Sequence, residues 1–298
     1  MALVVIPPPP GPLVDVGGYR LHVARAGDNG PAVLFDSGLG GSTLLWANTL
    51  PLVASSARCF AFDRAGYAWS DPAPAHTKRT TTQNVAEMRV ALTALGVEPP
   101  YVLVGHSLGG VHMLTWAYQH REEVIGLVLV DSSHPQMFER MPGMPSERIT
   151  RLSFGLIVGL GRMGLLRWLG WPLTKATIHN LDRLPPQTQT ALKAFAQRPA
   201  HFEATYREAL DTPASFAAAQ GDPGSLGDLP ILWLTADWWT TGKQTALKMA
   251  GVALREEAQK LSSRSRHVVV ENCDHTDLPI VRPDAVADGV RWVIESRK

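Results

Sequence analysis

Short apolar runs rich in valine, leucine and isoleucine recur along this chain of 298 residues, and segments of helical period separate them. A run with hardly a polar position has no face to offer to water. It reads as a strand covered on both sides, which calls for a mostly parallel sheet sandwiched between helices. Strands are expected near residues 19–25, 32–36, 59–63, 101–104, 125–130, 231–235 and 267–271. Between them, residues 84–95 carry apolar side chains at 85, 88, 92 and 95, a single stripe suited to packing on a sheet. From 134 to 228 the strand pattern stops and the chain turns helical and rich in Arg and Pro, with Gly221, Pro223 and Gly224 before the next strand. The expected layout is a core made from residues 1–133 and 229–298, interrupted by a helical insertion at 134–228. No internal repeat is present.

With 45% hydrophobic residues, a chain of this length can bury a sizeable core. Its 28 basic and 27 acidic residues leave a formal charge of +1, so neither nucleic acid nor an anionic surface is called for. The expected partner is a small molecule without strong charge. Cys59 and Cys273 are too few for a disulfide framework and lack metal spacing, and they read as free thiols. The opening "MALVVIPPPPGP" has no basic leader and runs into prolines that cannot form a helical signal core, so no targeting segment is expected. The compartment stays open, with the cytoplasm favoured, and so does the oligomeric state. The most lipid-like stretch, "LSFGLIVGLGRMGLLRWLGW" from Leu152, is cut by Arg162 and Arg167. It falls short of the roughly 20 apolar residues a membrane span needs, although a role at a membrane surface stays open.

The stretch "YVLVGHSLGGVH" at 101–112 places a serine between glycines where an expected strand passes into a helix. A serine hydroxyl is a weak nucleophile unless a base takes its proton and the backbone projects it toward a carbonyl. Gly105 and Gly109 flank Ser107 in a GxSxG pattern, where missing side chains let strand and helix crowd around a strained turn. The first N–H groups of the following helix lack intrahelical partners, so that of Leu108 can donate to a developing oxyanion. His106 cannot easily face its neighbour's hydroxyl and reads as a packing or hydrogen-bonding residue.

Three further blocks follow the same order as in one known family: "DSGLGG" at 36–41, "DRAGYAWSD" at 63–71 and "ENCDHTDLPIVRPDAV" at 271–286. With the serine turn, they make the chain resemble the α/β-hydrolase family over nearly its whole length except the insertion. Two positions depart from the family pattern: Ser37 replaces a histidine often found before the loop glycine, and Ala68 replaces the second glycine of the 63–71 turn. The resemblance implies a mostly parallel eight-stranded sheet flanked by helices, with the insertion as a helical lid. It also implies that the N–H of Leu39 is a second oxyanion donor, beside that of Leu108. Asp63 and Arg64 are expected to brace their turn.

An imidazole can accept and return a proton near neutral pH, and among the ten histidines His275 is the one in a short polar loop after a late strand. It is the expected base. The carboxylate that orients it must come from a strand end nearby. Asp131 ends the strand after the serine turn, at a site some branches of the family use. Asp237 ends a later strand, but there Ala236 stands where the family usually has glycine and Trp239 where it has the acid. Asp131 is favoured and Asp237 kept as the alternative. Asp274 and Asp277 read as solvating their loop. Trp238, Trp239 and Trp168 are candidate pocket residues, with Trp171, Leu165 and Met163 behind them.

The combined expectation is a Ser-His-Asp hydrolase of uncharged carboxylic esters or lactones, macrocyclic ones included, needing no metal or organic cofactor. An acyltransferase or perhydrolase using the same residues, or a non-catalytic ligand-binding protein, is the alternative. A serine nucleophile disfavours the alkyl-ester chemistry of related dehalogenases and epoxide hydrolases, which starts from an aspartate.

Overall fold

A computed structural model of the chain describes residues 5–297 and forms one eight-stranded sheet. The first residues of the N-terminal stretch, 1–4, lie outside the described residues. The strands are β1 (Leu13–Asp15), β2 (Arg20–Ala26), β3 (Ala32–Asp36), β4 (Arg58–Phe62), β5 (Tyr101–His106), β6 (Val124–Val130), β7 (Ile231–Ala236) and β8 (Ser265–Val270). Their order across the sheet is β1-β2-β4-β3-β5-β6-β7-β8. Only β2 is antiparallel to its neighbours, pairing with β1 on one side and β4 on the other; all other pairs are parallel. The expected strands are all present within a few residues. The addition is β1, too short to leave a periodic signal.

The longer helices are α1 (Thr81–Ala94), α2 (Leu108–Gln119), α3 (Glu147–Arg162), α4 (Leu166–Thr177), α5 (Pro186–Ala196), α6 (Pro199–Ala218), α7 (Ala246–Ala258) and α8 (Pro283–Glu295). Because side chains alternate across a sheet, each central strand feeds two cores. Leu34, Leu103, Leu127 and Leu129 face α1 and α2, where Val85, Met88 and Leu92 of the predicted stripe are buried. Val33, Phe35, Val104, Val128 and Val130 face the opposite way and meet Val286, Val290 and Val293 of α8. Between β6 and β7 the described chain is helical, running from α3 to α6. No helix is long and apolar enough to cross a membrane among the described residues.

The glycines around residue 107 are needed for contact distance. A Cβ on Gly105 would stand 2.5 Å from the Gly109 carbonyl oxygen, and one on Gly109 would stand 2.4 Å from the Asp36 carbonyl oxygen. Strands β3 and β5 and helix α2 therefore meet backbone to backbone. Gly155, in the interior of α3, has nothing within 4 Å of an added Cβ. Gly109→Ala is expected to lower stability by at least about 2 kcal/mol in urea unfolding, through overpacking against rigid backbone. Gly155→Ala is expected to raise it by about 0.5–1 kcal/mol, through helix propensity alone.

Candidate active site

Ser107 follows β5 directly and is held at φ 53°, ψ −120°, a left-handed conformation strained for any residue with a Cβ. Its backbone is pinned: its N–H donates to the Val130 carbonyl, and its own carbonyl accepts from the N–H groups of Gly110 and Ser133. Asp131, at the end of β6, is also at positive φ (40°), and its N–H donates to the Leu234 carbonyl at 2.7 Å. His275 lies in the loop after β8. Three segments distant in sequence thus end at one edge of the sheet, the carboxyl ends of its parallel strands.

There the side chains form a line. Ser107 Oγ is 2.9 Å from His275 Nε2, and His275 Nδ1 is 2.6 Å from Asp131 Oδ2. A carboxylate can only accept, so Nδ1 carries the proton and Nε2 is left as an acceptor for the serine hydroxyl. Asp131 is fully buried and receives three other donors: the Ala236 N–H at 3.2 Å, the Trp239 indole at 2.9 Å and the Arg255 guanidinium at 3.2 Å. Burial alone would push its carboxyl up. Arg255, with the bonds from His275 and Trp239, outweighs that and holds it well below the ordinary carboxylate range.

Asp237 is placed elsewhere. Its oxygens accept from the N–H groups of Asn272 (2.9 Å) and Cys273 (3.3 Å), so it braces the start of the loop bearing His275. Asp277 does not solvate that loop: it is buried and accepts from the Asp274 N–H and from Asn180. Asp274 accepts from the N–H groups of Thr276 and Asp277 and meets His179. The two aspartates frame the turn by accepting from its main-chain donors at 274, 276 and 277. His106 packs its ring on that of His275, with centroids 5.2 Å apart, and donates from Nε2 to the His275 carbonyl at 2.7 Å.

The loop 36–41 is held from below by Arg64. This buried guanidinium donates to Asp36, to the carbonyls of Ser37 and Gly38 (2.8 and 2.9 Å) and to both oxygens of Glu208 on α6. In a trans peptide the C=O and the next N–H point in opposite directions. With the Gly38 carbonyl turned onto Arg64, the Leu39 N–H is turned away from it. A Cβ on Gly38 would stand 2.9 Å from Ser107 Cβ, so glycine is what lets the loop reach the serine. Leu108, the first residue of α2, stands on the serine's other side. Asp63 accepts from Thr43 N–H and His22, both at 2.7 Å, and so braces its turn as expected.

A cavity of about 460 Å³ opens above Ser107 and His275. Gly38, Leu39 and Leu45 wall it from the core side, and Phe154, Ile157, Leu173, Ile178 and Phe202 from the helical segment. It has no ionisable side chain beyond histidine. None of the tryptophans expected in the pocket lines it. Trp239 is spent on Asp131 and lies under Arg255, whose guanidinium is 3.9 Å from its ring; Trp238 stacks with Lys248, and Trp168 lies under Arg167. Trp171 packs with Leu181 and Phe195, while Met163 faces solvent and Leu165 is absent from the lining. Arg255 and Glu208 carry the electrostatics of the site, yet they lie 124 and 101 residues from Asp131 and Ser107 without any motif around them.

Sheet order, the serine turn between β5 and α2, and helices on both faces define the α/β-hydrolase fold, and residues 31–153 match the family model described as alpha/beta hydrolase fold. The chain has the α/β-hydrolase fold. The solved structure of epoxide hydrolase CorEH superposes with a TM-score of 0.72 at 18% identity, over 95% of this chain and 97% of that one. Among curated relatives, the uncharacterized protein YqjL of Bacillus subtilis is 36% identical over 39% of this chain and 46% of its own length. Epoxide hydrolase 4 of Mus musculus is 33% identical over 41% of this chain and 34% of its own. The chain spans less than half the length of the curated relatives it matches.

Three buried histidines bear on stability. Burial pushes His106, His134 and His201 each down to about 4, with His275 adding to the effect at His106 and Arg140 at His134. In the unfolded chain each returns to about 6.5. Stability from these groups is therefore fully present above pH of about 6.5 and is lost as the pH falls toward 4, where the unfolded chain binds protons that the folded one refuses. His179, raised by Asp274, acts in the opposite sense but is exposed and screened. Urea midpoints are expected to be level from pH 7 to 8 and to fall steadily from about 6.5 to 4; a flat profile across that range contradicts the buried neutral histidines.

Proposed function

We propose that the protein is a serine hydrolase of uncharged carboxylic esters or lactones, acting through an acyl-enzyme. The observation that carries this reading is the line from Ser107 Oγ through His275 to Asp131, with 2.9 and 2.6 Å contacts. His275 Nε2 takes the serine proton as Oγ attacks the ester carbonyl carbon. The carbonyl oxygen becomes an oxyanion and accepts from the N–H groups of Leu39 and Leu108, while Asp131 stabilises the imidazolium. Collapse breaks the carbon–oxygen bond, and His275 returns the proton to the departing alkoxide. In a lactone that alkoxide stays tethered as a hydroxyl on the acyl chain. Water then attacks the acyl-enzyme with His275 as base, and the freed carboxylate leaves Ser107 restored.

The lining of the cavity supports an uncharged, largely apolar acyl or alcohol group, because a buried charge there would meet no opposite one. The helical segment at 134–228 serves as the cap that shapes this space. Relatives named as epoxide hydrolases share the fold, but a hydroxyl, and not a carboxylate, stands at position 107 here. Trp239 and Arg255 act as positioning residues through Asp131.

A fluorophosphonate probe is expected to label the wild-type chain and not Ser107→Ala; absence of labelling in the wild type overturns the reading. Asp131→Asn is expected to lower kcat/KM for p-nitrophenyl esters about ten-thousandfold, because the imidazole loses its tautomer, while Asp237→Asn stays within about tenfold. Equal losses would sink the assignment of Asp131. Arg255→Met removes the cation and the donor that reach Asp131, so kcat/KM is expected to fall by at least about tenfold, whereas Arg255→Lys keeps the charge and stays nearer the wild type. Equal losses in the two variants would show that Asp131 depends on the packing of that side chain and not on its charge.

A further inference from the structure

Helix α3 is apolar on two opposite faces. At 100° per residue, Phe154, Ile157, Val158 and Gly161 fall on one side, turned to the cavity and to α6. Ile149, Leu152, Leu156 and Met163 fall on the other, and that side faces water: Leu152 is 74% exposed, Leu156 66% and Met163 73%. Trp168 and Leu169 of α4 add further exposed apolar surface. A contiguous outward patch of this kind marks a contact surface.

The charges beside it indicate what it meets. Along α3 and α4 stand Arg148, Arg151, Arg162, Arg167 and Lys175, against Glu147 as the one acid, in a chain whose overall charge is only +1. Arg148, Arg151 and Arg162 run along one flank of the apolar stripe. Arg151 pairs with Glu147 and Arg162 with Glu203 at 3.4 Å, both in exposed pairs that give way readily to other anions. Apolar side chains at the centre and long cationic ones beside them suit a helix lying in the boundary of a bilayer, where arginines reach back to phosphates. A second copy of this chain would bring the same cationic rows together.

We infer that α3 and α4 form a docking platform for an anionic lipid surface. With the reading of an uncharged ester substrate, on which this consequence rests, the platform has a use: apolar substrate dissolved in the bilayer needs only to pass around α3 to reach the cavity on its inner side. The binding itself does not require that reading.

The test is co-sedimentation of the full chain with phosphatidylcholine vesicles, with and without phosphatidylglycerol. Partition is expected to be more than about tenfold stronger with the anionic lipid and to fall with added salt. Leu152→Glu with Leu156→Glu is expected to lose about tenfold or more of it, with unchanged circular dichroism and unchanged turnover of a soluble short ester, since neither residue touches the cavity. Arg162→Glu with Arg167→Glu is expected to remove the preference for phosphatidylglycerol. Ser107→Ala is expected to bind as the wild type does, which separates docking from catalysis. Partition that is absent, indifferent to anionic lipid, or untouched by the leucine variant overturns the inference. So does a dimer in gel filtration that the leucine variant dissociates, since the stripe would then be covered by a second copy.

Discussion

A single buried guanidinium, that of Arg64, connects the parts from which the site is built. Taking it out of water is costly, and the structure answers with acceptors on every side: Asp36 at the end of β3, the Ser37 and Gly38 carbonyls, and both oxygens of Glu208 on α6. Each acceptor is itself held. Asp36 also meets His112, and Glu208 accepts from Tyr67 and Asn84. Burial would raise both carboxyls, but Arg64 keeps both below their usual range. The strand end, the loop that presents the Leu39 N–H and the helix over the cavity are therefore locked by one set of hydrogen bonds. Removing either charge would leave the other uncompensated, a loss of about 3–5 kcal/mol in buried pairs.

The second electrostatic centre, Asp131, shows a different balance. It receives His275, Trp239, Arg255 and the Ala236 N–H, so its lone pairs are filled by groups from β7, α7 and the loop after β8. Gly251 makes room for this: a Cβ there would stand 2.5 Å from the Trp239 ring. In the proposed mechanism an imidazolium forms beside this carboxylate and faces Arg255 across it. The arginine keeps the carboxylate ionised, and so ready to stabilise that imidazolium.

How far the sequence foretells such a structure depends on the range of the interaction. The strands were legible because burial on both faces leaves an unbroken apolar run, as in residues 125–130, and the serine turn because glycine spacing reports backbone approach directly. Asp131 and Asp237 both end strands, so local pattern favoured Asp131 but kept Asp237 open; what distinguishes them is the direction of the loop after β8, whose N–H groups at 272 and 273 turn to Asp237 while its ring at 275 turns to Asp131. The tryptophans fall outside the cavity lining because an indole serves a buried carboxylate, as at Trp239, or a cation, as at Trp238 and Trp168, as readily as a ligand. Arg255 and Glu208 were invisible for a plainer reason: a charged residue on an amphipathic helix has the same spacing whether it points to water or to a buried partner.

The same ambiguity runs through α3, with the sign reversed. Its inner and outer faces are both apolar, and periodicity alone would bury both. Only one is covered, by α6 and the cavity wall, because the sheet below offers no second layer on the far side. An apolar stripe left in water raises the free energy of the free molecule by roughly 25 cal/mol for each Å² that a partner could cover. Arginines beside that stripe suit it to a phosphate-lined surface. The helix is thus built as a boundary, apolar toward what it encloses and apolar toward what it rests on, with its charge confined to the flank between.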